Sequence, residues 1–319
     1  MNLRVLMKPS LLDFQSVQSE GGIRRVVEAY TKHLPHFGVD VVDNTATSYD
    51  LIAAHAGMAG GDMDVSHLHG LYWTADYDAS DGEYKTNARV IDSLRKAKQV
   101  TVPSRWVAYN IARDMRFRPH VVPHGIDWKN WQHQEENQGF ILYNKNRVGD
   151  VCHPGQMQEL AVKFPKLQFV STFSVPNVGT PSNVKIIGLL PHESMKKVIQ
   201  RCGVYLSVTK ETFAIGVLEA MAAGKPVLGW NYGGNSDLVK HGINGYLAEP
   251  GDMNDLAEGL WYTLENAQTL GENGREIAHE YTWERAVKQV TDIYRLASED
   301  KFSDRPMFIE PSSYRTELP

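Results

Sequence analysis

The sequence predicts an α/β protein of two parallel-sheet halves, on three observations. Short apolar runs alternate with helical patterns almost from the start, and the alternation breaks at a polar stretch, residues 130–138, then resumes. At 319 residues and 42% hydrophobic, the chain has the material for two medium cores.

Residues 3–7 read as a strand, 22–34 as a helix, and 39–42 and 51–54 as further strands, which is βαβ grammar. Beyond the polar stretch, strands are expected at 140–143, 167–170, 184–187, 204–208 and 227–230, each followed by a loop or helix. A helical pattern over 283–296 closes the series. The expected division is a first domain at 1–130, a second at 131–297, and a polar, Pro-containing tail at 298–319 that is at best partly ordered. Parallel sheets bind ligands beyond the C-terminal ends of their strands, so two such halves facing each other would place a site in the cleft between them.

No apolar run is long enough to cross a bilayer, and the start of the chain meets Arg4 and Lys8 too soon for a secretory signal. A soluble, cytoplasmic protein is expected. Cys152 and Cys202 form no CxxC or Cys/His spacing of the kind that holds zinc, so both read as reduced, structural thiols. Net charge is −5, but residues 1–130 balance 15 Lys and Arg against 15 Asp and Glu. Within them, Lys85 to Arg118 carries nine basic residues against Asp92 and Asp114 alone. That stretch reads either as the solvated faces of two helices or as a contact for something anionic, which would make the protein peripheral to a membrane or polymer.

The segment from Glu211 to Val227 carries the chemistry. It follows the apolar strand directly and reads as loop, short helix and stop: Ile215 to Ala223 favour a helix, Gly224 suits the left-handed position at its end, and Pro226 prevents continuation. The helix therefore starts inside the loop that leaves the strand and aims its N–H groups at any ligand there, as a diphosphate needs. Glu211 lies before the helix and Glu219 a turn inside it, so the two do not form a tight dyad. They suit two separate diols, sugar hydroxyls for Glu211 and ribose hydroxyls for Glu219; the bland alternative is a pair of solvated surface glutamates.

These residues resemble the family-4 retaining glycosyltransferases, which have the GT-B fold of two Rossmann-like domains with parallel sheets facing across a cleft. The resemblance runs over most of the chain, from Leu3 to Leu296. It rests on two glutamates with seven residues between them, on the run Ala220 to Val227, and on Val102 to Val107, Val121 to Asp127, the Gly233-Gly234 turn and His241 to Asp252. It implies a nucleotide-sugar donor held by Gly21, Gly22, Lys145, Phe213, Ala214, Ile215, Gly216 and Glu219, with His69, Glu211 and Arg147 at the reacting centre. Gly21 and Gly22 match the family's glycine turn, where absent side chains let the backbone approach the donor. His69, in Ser66-His67-Leu68-His69-Gly70, matches the histidine that reaches the donor sugar, while His67 reads as a core residue.

One departure stands out. The family places an arginine after the linker and a lysine about five residues later; Arg147 matches the first, but Cys152 stands where the lysine would be, so either Lys145 substitutes from the other side or affinity for the diphosphate, or the rate of its departure, suffers. Ala214 for a common glycine and His124 for the usual asparagine are lesser ones. No metal site is expected, since no acidic or cysteine cluster completes a ligand set with His67 and His69. No cofactor is expected beyond the nucleotide sugar as substrate. The resemblance implies transfer of a hexose-type sugar with retention by a same-face route, to an acceptor the sequence does not identify: saccharide, lipid-linked or polymer. A nucleotide-sugar epimerase or hydrolase, and a weakened donor-binding relic, are the competing readings.

Overall fold

The computed structural model describes residues 2–14, 21–73, 78–115, 117–132, 135–145, 150–152, 154–173 and 179–299. The chain divides into two compact units, Met1–Gly125 with the chain from Thr282 onward, and Ile126–Tyr281.

In the first unit, β1 (Leu3–Lys8), α1 (Gly22–His33), β2 (Val39–Val42), β3 (Leu51–His55), β4 (Val65–His67), α2 (Asp81–Lys96), β5 (Gln99–Val102), α3 (Arg105–Met115) and β6 (His120–Val121) follow in order. The strands form one parallel sheet in the order β2-β1-β3-β4-β5-β6. β4, β5 and β6 span two to four residues each and are not among the strands expected from the sequence. Ser80 and Glu83 make a capping box that starts α2, with Ser80 N donating to Glu83 Oε2 at 2.7 Å. Val90 and Leu94 of α2 and Val107 and Ile111 of α3 pack with Val100 and Val102 in the core.

The C-terminal helix, Trp283–Ser298, belongs with this unit, which corrects the expected boundary at 131–297. Its buried side chains include Val287, Val290, Ile293 and Tyr294, a stripe at helical spacing. Trp283 meets the Tyr30 ring edge-on at 6.4 Å, and Tyr294 Oη bonds His67 Nε2 at 2.8 Å. The chain crosses between units twice at neighbouring points. Gly125 serves one of them: a Cβ there would lie 2.3 Å from the backbone of Thr282 and Trp283.

The second unit runs β7 (Ile141–Tyr143), α4 (Gly155–Lys163), β8 (Phe169–Ser171), β9 (Val184–Ile186), α5 (His192–Arg201), β10 (Val204–Ser207), α6 (Ile215–Ala222), β11 (Val227–Trp230), α7 (Gly234–Leu238), β12 (Gly245–Ala248), α8 (Met253–Glu265) and α9 (Ala267–Ala278). Its sheet is again parallel, in the order β12-β11-β10-β7-β8-β9. Counted from β7, this is the order of a dinucleotide-binding sheet. The order reverses between β7 and β10, and such a switch point is where open α/β sheets take ligands, beyond the strands' C-terminal ends.

Among the described residues no helix is long and apolar enough to cross a membrane. Much of the basic stretch is engaged inside its own unit. Lys96 pairs with Asp92 at 2.8 Å, Lys98 with Asp64 at 3.0 Å and Arg113 with Asp114 at 2.6 Å, while Arg89 Nε donates to Ala56 O at 3.2 Å.

Candidate functional site

The loops that leave β7 and β10 flank the switch point of the second unit. The first carries Asn144 and Lys145; the second carries Glu211, Phe213 and Ala214 and ends at the start of α6. Lys145 Nζ donates to Glu211 Oε2 in an ion pair whose side chains are 11% and 30% exposed. Burial alone would depress the Lys145 ammonium, but the Glu211 charge and hydrogen bond outweigh it and raise its pKa. The lysine is therefore a fixed cation.

Ala214 is the N-cap of α6 and makes no side-chain cap bond, and Ile215, Gly216 and Val217 form the first turn. The helix start is built by close packing. A Cβ on Gly216 would stand 2.2 Å from the hydroxyl of fully buried Tyr205, and Gly216 also lies beside Asn144. The Gly233-Gly234 turn supports the loop from behind. Gly233 has φ +59, its Cβ would meet Glu211 O at 2.0 Å, and Gly234 N donates to that same oxygen at 2.9 Å. Asn235 ties the strands beneath: its Nδ2 donates to Ser207 O at 2.9 Å and Trp230 O at 3.1 Å, and Ser207 Oγ bonds its Oδ1 at 2.9 Å. At the helix end Gly224 is left-handed, φ 69.

Glu219, 5% exposed, sits on α6, where its Oε1 lies 2.8 Å from Nε2 of His192, the first residue of α5. Trp131 packs edge-on to the His192 ring at 6.4 Å. A buried carboxylate thus has a polar partner.

The first unit holds the remaining expected site residues. Gly21 is the N-cap of α1, φ −66, and Gly22 opens the helix, with no atom within 4 Å of the position a Cβ would take. His69 Nε2 lies 2.9 Å from His55 Nδ1. His55, His67 and His124 are buried, with the His55 and His67 rings stacked at 4.7 Å and the His69 and His124 rings tilted to each other at 5.4 Å. Burial holds all four imidazoles neutral: His67 is pulled down to about 3, His69 to about 4, and His55 and His124 well below their ordinary value. Among the described residues no group of three or more His, Cys, Asp or Glu is arranged to hold a metal.

The family profile described as "Glycosyl transferases group 1" matches residues 174–277, and that described as "Glycosyltransferase Family 4" matches residues 14–129. The chain belongs to the family-4-like glycosyltransferases of the GT-B fold. Among relatives, it is 31% identical over 122 residues to an uncharacterized glycosyltransferase of Methanocaldococcus jannaschii, covering 37% of this chain and 35% of that protein. It is 37% identical over 89 residues to N-acetyl-alpha-D-glucosaminyl L-malate synthase of Bacillus anthracis, covering 27% and 23%. The matched segments thus span about a third or less of those relatives. Solved structures share the fold over 93% of the chain at 16% identity. Sucrose-phosphate synthase of Thermosynechococcus elongatus superposes with a TM-score of 0.75 over 99% of its chain, and Anabaena HepE in complex with UDP-glucose with 0.71 over 100% of its chain.

In this GT-B chain the structure brings Lys145, Glu211, Phe213, Ala214, Ile215, Gly216 and Glu219 together around one helix start. Arg147 lies outside the described residues. Sequence reasoning missed His192 as the partner of Glu219 and His55 as the partner of His69. The first could have been suspected from its place at the opening of a helix; the second carries no motif.

Proposed function

We propose that this protein moves a hexose-type sugar from a nucleoside-diphosphate sugar to an acceptor hydroxyl, with retention, by a same-face route that needs no metal ion. The observation that carries the reading is the Lys145–Glu211 ion pair beside the uncapped start of α6, at the switch point of a parallel sheet. It puts a fixed cation, a carboxylate and backbone N–H groups where a sugar diphosphate has need of each. The Anabaena neighbour, seen with UDP and with UDP-glucose, supports a nucleotide-sugar donor.

The diphosphate lies at the α6 start, helped by Lys145 and Arg147. Glu219, oriented by His192, accepts from ribose hydroxyls. Glu211, oriented by Lys145, accepts from sugar hydroxyls and does not lie under the anomeric carbon. The bond from the anomeric carbon to the diphosphate breaks with its electron pair going to phosphate. The acceptor oxygen bonds the same face, and its proton passes to a departing phosphate oxygen. His69 contacts the sugar in its neutral form. The protein works in the cytoplasm, and the basic stretch from Lys85 to Arg118 is the candidate contact for an anionic surface.

Purified protein offered UDP-, GDP- and ADP-sugars, with and without candidate acceptors, should release nucleotide in an acceptor-dependent way. Neither binding nor release with any donor would sink the reading. Binding without release would favour a weakened relic, for which Cys152 in the place of a lysine is the motive. Free sugar or an epimer without acceptor would favour a hydrolase or epimerase.

A further inference from the structure

On the edge of the second unit a hollow of about 450 Å³ opens between the turn that follows α4 and the start of β9. One wall is Pro165, Lys166, Leu167 and Gln168; the other is Ser182, Asn183, Val184 and Lys185. The hollow lies at the N-terminal ends of β8 and β9, whereas Lys145 and Glu211 follow the C-terminal ends of β7 and β10. β9 is the last strand of its sheet, so no further strand closes this side.

The two walls are tied to each other. Asn183 Nδ2 donates to Ala161 O at 3.0 Å, Phe164 O at 3.1 Å and Leu167 O at 2.9 Å, which caps the end of α4. Asn183 O accepts from Phe169 N at 2.9 Å. The hollow is therefore preformed, and a ligand has no loop to order on entering it.

Its charge is of one sign. From Leu160 to His192 the chain has three lysines and no Asp, Glu or Arg. Lys163 turns toward α8, where its Nζ donates to Met253 O at 3.3 Å and Asn254 Oδ1 at 3.1 Å. Lys166 and Lys185 line the hollow from opposite walls, and among the described residues neither ammonium is held by a carboxylate. A lysine on an edge strand also guards it against pairing with another chain. Lys185 alone would serve for that, and Lys166, off the strand, would add nothing. Two cations on one hollow repel unless an anion lies between them. Gln168 and Ser182 add an amide and a hydroxyl to the lining, and Leu167 and Val184 an apolar surface.

We propose that this hollow binds a small phosphomonoester of sugar size, with its phosphoryl dianion between Lys166 and Lys185 and its hydroxyls on Gln168 and Ser182. The volume suits a ligand of that size. The site is separate from the candidate donor site and stands whether or not a nucleotide sugar binds there.

The experiment is amide NMR of the isotope-labelled full chain, titrated with a hexose phosphate, with inorganic phosphate and with the parent hexose. The hexose phosphate should give saturable shifts at residues 165–168 and 182–185. Inorganic phosphate should compete for them more weakly, and the parent hexose should give none. Lys166→Gln and Lys185→Gln, both at exposed positions, should each weaken binding about three- to tenfold and together abolish it. Equal affinity for inorganic phosphate would overturn the ester in favour of free phosphate. No saturable shift at these amides, shifts spread over lysines elsewhere on the surface, or unchanged binding in the double variant would overturn the site itself.

Discussion

Lys145 Nζ donates to Glu211 Oε2 across the boundary between β7 and β10, so the lysine expected to clamp a diphosphate is already engaged by the carboxylate expected to hold a sugar. The pair is asymmetric, with the lysine side chain the more buried. Glu211→Gln leaves a buried ammonium with a weaker partner, whereas Lys145→Met leaves a carboxylate that water can reach. We expect Glu211→Gln to be the more destabilising single change, and Lys145→Met with Glu211→Gln to recover part of the loss. A double-mutant cycle by urea denaturation should give a coupling of about 1–3 kcal/mol. Additive single effects would show that the pair is incidental.

Glu219 and His192 make the second prediction. The carboxylate is buried and the imidazole more exposed, so His192 orients Glu219 without closing the site. Glu219→Ala should chiefly weaken nucleotide binding, and His192→Ala should weaken it in the same direction by a smaller factor, about three- to tenfold. Glu211→Ala should chiefly lower turnover. Calorimetric titration of nucleoside diphosphate beside steady-state transfer separates them, and the same pattern from all three variants would contradict this division of labour.

The sequence carried the βαβ alternation and the α6 start because both depend on local pattern: apolar runs of strand length, helix formers and a glycine stop. The helix expected from Ile215 runs Ile215–Ala222 with Gly224 left-handed as expected. What local pattern lacks is partnership across the sheet. β4, β5 and β6 are recognised by their pairing with β3 and with one another. The C-terminal helix reads as a helix, but its place in the first unit depends on where Tyr294 finds His67, 227 residues away in the chain. The Lys145–Glu211 and His55–His69 pairs were equally out of reach, since each joins residues on different loops or strands.

Gly216 offers a test of the α6 start by rescue. Alanine there would press its Cβ to within 2.2 Å of the Tyr205 hydroxyl, while the ring carbon that bears it stands at 3.2 Å. Gly216→Ala should cost about 1–3 kcal/mol through displaced packing and should lower nucleotide affinity. Tyr205→Phe removes the clashing oxygen and leaves a tight but tolerable contact. The double variant should regain most of the stability and affinity in paired denaturation and binding curves; if it does not, the glycine is needed for something other than room beneath Tyr205.

The depressed imidazoles of the first unit, three of them buried and His69 partly so, set its response to acid. In the unfolded chain each titrates near 6.5, whereas in the fold His69 is depressed to about 4 and His67 to about 3, chiefly by burial. Between those values and 6.5 the unfolded chain binds protons that the folded chain refuses, so stability is fully present above about pH 6.5 and is lost as pH falls toward 4. His55 and His124 act in the same sense, the latter also against the charge of Arg25. Native-state hydrogen exchange of amides in β3 and β4 should show opening that becomes easier from pH 7 to pH 5. His67→Gln removes one titrating group, so its protection should fall less steeply over that interval than that of the wild type, even if its stability at pH 7 is lower. Parallel pH dependences in the two proteins would mean that His67 is not a source of the acid sensitivity.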